Sequence, residues 1–331
     1  MTVTTYRLMQ RAPQAGFGLI ELMISLLLGI IIMLGVTEIA TRNSLTRAEL
    51  ERSGRQIESA SYALRLFETD LVSAGYWGEM GEQAAGGTLP PVCPGLGLDL
   101  AVAANELRAA TGYPVQGEDA LATSCVVPAA GTDFLAIRRV SSCALDTTGC
   151  GTAGSNFHLQ VNSCFNPSDA AAALPGIDYL VDENPDDLDY TQRDCSTEAP
   201  KYRFVNRIYY INDDAQLVRA ELEGSGAGAD YPNVPLVDGV EMMRFEYGLD
   251  NDGDGQVDVQ TTAPSGAEWS DVAMVRVSLV VRNLEPSAGY ADGKTYTLGG
   301  ASYTVPAGFE GHRRQVYSRT ISLRNVVGRR G

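Results

Sequence analysis

Residues 16–40 read GFGLIELMISLLLGIIIMLGVTEIA. No charge stands between Glu21 and Glu38, and Phe17–Ala40 is long enough to cross a bilayer as a helix. Ahead of it, residues 1–16 are polar, carry Arg7 and Arg11, and contain no acidic residue. Positive charge before the span and acid after it place the N-terminus in the cytoplasm. An ordinary secretory signal puts its apolar stretch before a small-residue cleavage site. Here the order is reversed. Cleavage at the Gly16–Phe17 junction removes the basic leader and leaves the apolar helix on the product. Glu21 is the odd residue, because a carboxylate in a spanning helix costs roughly 2.5–3.5 kcal/mol at the bilayer centre and less near an edge. It is expected to have a partner. A free amine on Phe17 would lie one helical turn away, close to the carboxylate of a neighbouring helix, and the pair would set the axial register between subunits. The plainer alternative is a single-pass anchor with an incidental glutamate at its edge.

The helix is expected to continue beyond the membrane. Ile57, Ala60, Leu64, Phe67 and Leu71 step by three and four, as on one helix face, while Arg47, Glu51, Arg55 and Glu58 supply a polar side. Gly75 is a suitable C-cap. A helix from Phe17 to Ser73 would run roughly 85 Å at about 1.5 Å per residue, with Gly29, Gly35 and Gly54 as points where it could bend. The expected division is therefore a leader at 1–16, a membrane helix at 17–40 and an amphipathic helix at 41–75. A loop-rich part at 76–200 and a sheet domain at 201–331 complete it.

Within 76–200 short strands fit Asp133–Val140 and Phe157–Phe165. The later part reads as strands at Tyr202–Ile211, Gln216–Glu221, Val240–Tyr247, Val272–Arg282, Lys294–Thr297, Ser302–Val305 and Gln315–Arg324. Cys93, Cys125, Cys143, Cys150, Cys164 and Cys195 all follow the apolar helix, and their even number points to disulfides in an oxidising compartment. The clustered Cys and His of a zinc site are missing. Many connectivities remain open; Cys143–Cys150 is the pair chosen here, because the intervening ALDTTG reads as a loop.

Residues 250–258 read DNDGDGQVD. Asp250, Asp252 and Asp254 at alternating positions point three carboxylates inward, Gly255 permits a sharp turn, the Gln256 carbonyl can follow as a ligand, and Asp258 closes the set. Hard cations such as Ca²⁺ take six to eight oxygens of this kind. The twelfth position is Thr261 instead of the bidentate Glu of an EF-hand, so affinity is expected at about 10⁻⁴–10⁻³ M, with a structural role. The alternative is an acidic hairpin turn.

The net charge of −16 argues against nucleic acid and anionic headgroups as partners. No H-E-x-x-H, G-x-S-x-G, phosphate loop or dinucleotide fingerprint is present, and the two histidines, His158 and His312, lie in unrelated contexts. The expectation is a protein that is not an enzyme.

Gly16, Phe17, Leu19, Ile20 and Glu21 together resemble the class III signal of type IV prepilins. The stretch Gly16–Ile39 and the terminal run HRRQVYSRTISLRN, His312–Asn325, resemble the PilW-type minor pilins. The resemblance implies an α+β pilin-like fold, a long N-terminal helix packed on an antiparallel sheet head with a disulfide-containing insert. It implies a prepilin peptidase that cuts after Gly16 and N-methylates Phe17, with Glu21 recruiting the subunit into the filament. It further implies an inner-membrane precursor with a periplasmic head, then a place at the pilus tip. There the partners are other minor pilins, the major pilin and a tip adhesin, in a system serving twitching motility and cell adhesion. A J-type pseudopilin of a type II secretion system and a tethered binding protein that never polymerises are the alternatives. Calcium loops of the DxDxDGxxD form also occur in pilus-tip components.

Overall fold

The computed structural model describes residues 16, 18–81, 86, 88–117, 125–148, 150, 156–164, 178–226 and 228–330. The chain forms two compact units, residues 1–51 and 52–331. Helix α1, Leu19–Ser73, begins in the first and continues into the second without interruption at Gly29, Gly35 or Gly54. In the first unit an 18-residue window of α1 has mean hydropathy 2.7 and none of it is buried. Its hydroxyls are satisfied within the helix: Ser25 Oγ donates to the Glu21 carbonyl at 2.6 Å and Thr37 Oγ1 to that of Met33 at 2.8 Å. This is how polar side chains are tolerated where water is absent.

In the second unit α1 buries Ala60, Ala63, Leu64, Phe67 and Leu71, a stripe at helical spacing. Ile57, expected on this stripe, is 48% exposed. Gln56 holds the buried place instead, its Nε2 donating to the Val281 carbonyl at 2.5 Å and to that of Arg313 at 3.3 Å. Asp70 is 1% exposed on the same helix. It accepts from Arg207 Nη1 at 2.8 and 3.1 Å, from the Tyr209 hydroxyl at 2.7 Å and from Arg139 Nη2 at 3.4 Å. Burial, and then the Asp70 charge, push the Tyr209 hydroxyl well above the usual phenol range.

The described residues of 76–200 are more regular than their sequence suggests. They contain α2, Leu100–Ala110, and strands β1 (Val115–Gln116), β2 (Leu135–Ala144), β3 (His158–Val161) and β4 (Tyr179–Asp182). β5 (Lys201–Ile211) and β6 (Gln216–Glu221) follow; β7 (Glu223–Gly224) and β8 (Ala229–Asp230) form a small ribbon before β9 (Asn233–Asp238). β5 is the centre of a seven-stranded sheet, β1-β2-β5-β3-β4, with β6 on β5 and β9 on β6. One edge of β5 takes β2. The other edge is divided, β3 pairing with Lys201–Arg203 and β6 with Arg207–Ile211. The expected boundary at residue 200 is therefore not observed; strands on both sides of it share one ladder. The short strands of the earlier part lie too far apart in the chain for their alternation to announce a common sheet.

A second sheet, in the order β11-β10-β12-β15, consists of β10 (Val240–Leu249), β11 (Val259–Thr261), β12 (Val272–Arg282) and β15 (Arg314–Ser322). β13 (Thr295–Leu298) and β14 (Ala301–Thr304) make a hairpin over Met242 and Val280. The α1 stripe, Leu135, Ile137, Tyr209 and Ile211 of the first sheet, and alternate residues of β10 and β12 form one core. The opposite face of the first sheet, including Ala136, Phe204 and Ile208, packs in another with Trp77 and Phe157. Period-two alternation thus serves two cores from one sheet.

The chain ends in α3, Arg324–Arg330, where a continuing strand was expected to Arg324. Asn325 Nδ2 donates to the carbonyls of Val72 and Ala74, and Arg329 to that of Gly75. The carbonyls left open at the end of α1 are so capped from the far end of the chain. Gly75 has φ +71°, and a Cβ there would meet Pro114 at 3.1 Å. All six cysteines are paired, as Cys93–Cys125, Cys143–Cys150 and Cys164–Cys195.

Replacing Asp70 with Ala leaves Arg139 without its buried counter-charge and Arg207 with Glu221 alone, and should cost about 3–5 kcal/mol. Glu68→Ala breaks a pair with Arg319 whose side chains are 39% and 45% exposed, and should cost about 0–1 kcal/mol. Urea unfolding of the full-length chain in detergent measures both; equal losses would refute the special place of Asp70.

Candidate functional site

Two places concentrate the residues singled out in the sequence. At the start of α1, Gly16 is exposed, and Phe17 lies outside the described residues, as does the expected contact of its amine with Glu21. Glu21 has a role that the sequence reading missed. The Gly18 carbonyl accepts from the amides of Glu21 and Leu22 at 3.0 and 3.2 Å. In return Glu21 Oε2 accepts from the Gly18 amide at 3.0 Å. This is the carboxylate half of a capping box, legible as an acidic residue three positions after the N-cap. The side chains that follow, Leu19, Ile20, Leu22 and Met23, are 62–81% exposed. A continuous apolar surface of that kind suits lipid or other helices.

The second place is the connection between β10 and β11, which pair as a hairpin from Leu249↔Val259. Strands flank the loop, as the sequence implied. Asp250 is 1% exposed, and its carboxylate accepts from the amides of Gly253 (2.9 Å), Asp254 (3.1 Å) and Gly255 (3.1 Å). Gly253 and Gly255 have φ of +78° and +82°, which lets three successive amides turn onto one carboxylate. Asp254 accepts from the Gln256 amide at 2.8 Å and from Gln256 Nε2 at 3.0 Å. Asp258 Oδ2 accepts from the Asn251 amide at 2.8 Å, closing the loop.

Carboxylate oxygens of Asp250, Asp252 and Asp254 lie within 4.8 Å of one another. The Asp258 and Gln256 side chains instead brace the loop. The donor set is entirely oxygen, the chemistry of a hard cation, and Asp252 and Asp254 are exposed to an incoming ion. Arg330 is a participant that sequence gave no sign of. Its Nη1 donates to the Asp250 carbonyl at 3.0 Å and its Nη2 to the Ser270 carbonyl at 3.2 Å and Asp271 Oδ1 at 3.0 Å.

Residues 11–37 match the family described as Prokaryotic N-terminal methylation motif, and residues 208–325 match Type IV Pilus-assembly protein W. A PilW-type segment thus follows a pilin-type methylation terminus in one chain. Gly16, Phe17 and Glu21 fall inside the first match, and the acidic loop, β12 and β15 inside the second. The part between them, with all six cysteines, falls outside both. Among solved structures, a type IV-like pilin from Thermus thermophilus is similar, with 13% identity, a TM-score of 0.39, and coverage of 82% of this chain and 97% of that one. No curated protein matches the chain. The motif and apolar helix suit membrane anchoring before assembly into a pilus.

Asp250→Ala strips the Gly253 and Gly255 amides of their acceptor and leaves that of Asp254 with Asp252 Oδ1 alone, and should destabilise the protein by about 1–3 kcal/mol in chelator. Asp252→Ala, at an exposed position, should stay within about 0.5 kcal/mol under the same conditions. Thermal unfolding of the two variants against the parent distinguishes a buried organising carboxylate from a solvated one.

Proposed function

We propose that this protein is a minor pilin that helps prime assembly of a type IV pilus and sits at or near the filament tip, with other minor pilins and a tip adhesin. One observation carries the reading: a methylation-type terminus at 11–37 running into an exposed apolar helix, joined in the same chain to a PilW segment at 208–325. A prepilin peptidase removes residues 1–16 and methylates the Phe17 amine. The helix waits in the inner membrane, N-terminus to the cytoplasm and head in the periplasm. Lateral packing of apolar helices then brings the Phe17 amine of one subunit to Glu21 of another, where a charge pair in low dielectric fixes register.

Calcium belongs to the same proposal. Asp250, Asp252 and Asp254 would hold the ion, with the Gln256 carbonyl and Asp258 completing the set after rearrangement of the loop. The ion would neutralise the exposed carboxylates of Asp252 and Asp254 beside Asp250, which already faces Arg330 at 3.6 Å, and stiffen a loop on the head, a structural and not a chemical task.

A deletion strain tests the function: surface pili are counted and secreted exoproteins assayed in one culture. Lost pili with intact secretion is expected. Normal pili with failed secretion would reassign the chain to a secretion pseudopilus. Gly16→Ala should block leader removal, read as retained leader mass by intact-mass spectrometry of the full chain; normal processing would remove the prepilin reading. Asp252→Ala with Asp254→Ala should lower the melting temperature only when calcium is present. If the parent melts identically with calcium and with chelator, the calcium proposal is wrong.

A further inference from the structure

The last strand of the second sheet offers an unfilled ladder. β15 pairs with β12 in unbroken register from Arg282↔Arg314 to Met274↔Ser322, and it ends the sheet. The Asn283 amide donates to the Arg313 carbonyl at 3.0 Å, and the Leu323 amide to that of Ala273 at 2.8 Å. Antiparallel pairing repeats every two residues. Odd-numbered residues of β15 therefore bond to β12, while Val316, Ser318 and Thr320 turn their N–H and C=O groups outward. All three are exposed.

The other sheet edges among the described residues are blunted. β1 has two residues, β11 three and β4 four. β9 carries Pro235 in its middle and a register shift opposite it. Loops cover β2 beyond β1, with the Arg138 amide on the Pro114 carbonyl and the Val140 amide on that of Tyr76. β15 has nine residues and none of these protections: no Pro, no Gly, no bulge, and no charge on the three residues whose backbone faces out. Proteins normally guard such an edge against pairing with other chains.

We propose that the outer edge of β15 is a strand-addition site, filled in the assembled filament by an extended, uncharged segment of a different subunit. Main-chain hydrogen bonds supply the attraction in this mode of recognition. Charge selects the partner. Val316, Ser318 and Thr320 carry no charge, while the neighbouring Arg314 and Arg319 are already paired with Glu241 and Glu68. A second copy would bring together two heads of a chain of net charge −16; an uncharged strand from another protein avoids that repulsion. Position selects it as well. Gln56 reaches the Arg313 carbonyl, Glu68 pairs with Arg319 at 2.5 Å, and Asn325 reaches the Val72 carbonyl, so β15 runs alongside α1. On the minor-pilin reading, on which this inference rests, a subunit packed against the part of α1 that follows Arg52 lies next to that edge.

Ser318→Pro removes one outward amide and no bond to β12; Ser318→Ala keeps the amide. The full-length chain in detergent should melt alike in all three forms. In cells, Ser318→Pro should reduce surface pili to the deletion strain's level, and Ser318→Ala should not. A photoreactive benzoylphenylalanine at Thr320 should cross-link the chain to another pilus subunit, and Ser318→Pro should abolish that product. Parental piliation in Ser318→Pro overturns the proposal, as does a cross-linked product of two copies of this chain. Should Ser318→Pro lower the melting temperature, Thr320→Pro, at the next outward amide, takes its place with the same expected results, the photoreactive residue then standing at Val316. A deletion strain with normal pili and failed secretion would instead sink the minor-pilin reading, and the edge would then be judged on exoprotein secretion.

Discussion

Arg207 stands at the middle of the central strand and holds two carboxylates at once. Its Nη1 is on Asp70 of α1 at 2.8 Å, and its Nη2 is on Glu221 of β6 at 3.1 Å. Burial by itself would push this guanidinium down, but Asp70 and Glu221 hold it above its ordinary value. Glu221 in turn is kept below the usual carboxylate range despite its burial, through Arg207, Arg219 and Arg203. Removing charges from water costs several kcal/mol per ion, and such a cluster is worthwhile only when every member is matched. Matching demands one geometry. The helix can sit on the sheet in the single rotation and height that bring Asp70 to Arg207 and Tyr209, and the positions of Ala60, Ala63 and Phe67 follow from it.

That placement explains residues that look misplaced in the sequence. Gln56 is buried because its Nε2 reaches two backbone carbonyls, of Val281 and Arg313, at one end of the β12–β15 pairing, and an apolar side chain would give up both bonds. Ile57, one position on, is turned outward. The far end of the same helix half is closed by Asn325 and Arg329. The last helix of the chain is thus part of the first, which ties α3, and through Arg330 the acidic loop, to the placement of α1.

The acidic loop and the helix start use one device at opposite scales. At Glu21 a single carboxylate satisfies a single amide; at Asp250 one carboxylate satisfies three. In both, the carboxylate takes up amides that a helix start or a tight turn leaves without a backbone acceptor. Aspartates that look in sequence like ligands are then divided by structure into an organiser, Asp250, a brace, Asp258, and two exposed carboxylates, Asp252 and Asp254.

The sequence by itself determined the features that short segments specify alone. The apolar run of α1, the reversed order of leader and span, the 3–4 stripe up to Leu71, the strands Gln216–Glu221 and Val272–Arg282, and the alternation of aspartates at 250–258 each repeat within a few residues, so their physics is local. Tertiary structure alone decided what depends on partners far along the chain. Asp70 meets Arg207 across 137 positions and Asn325 meets Val72 across 253. No periodicity reports which strand β5 shares its edge with, or which cysteine Cys93 faces. These choices are made when hydrophobic stripes, buried charges and open backbone groups must all be satisfied in one packing, and that condition exists only in the folded chain.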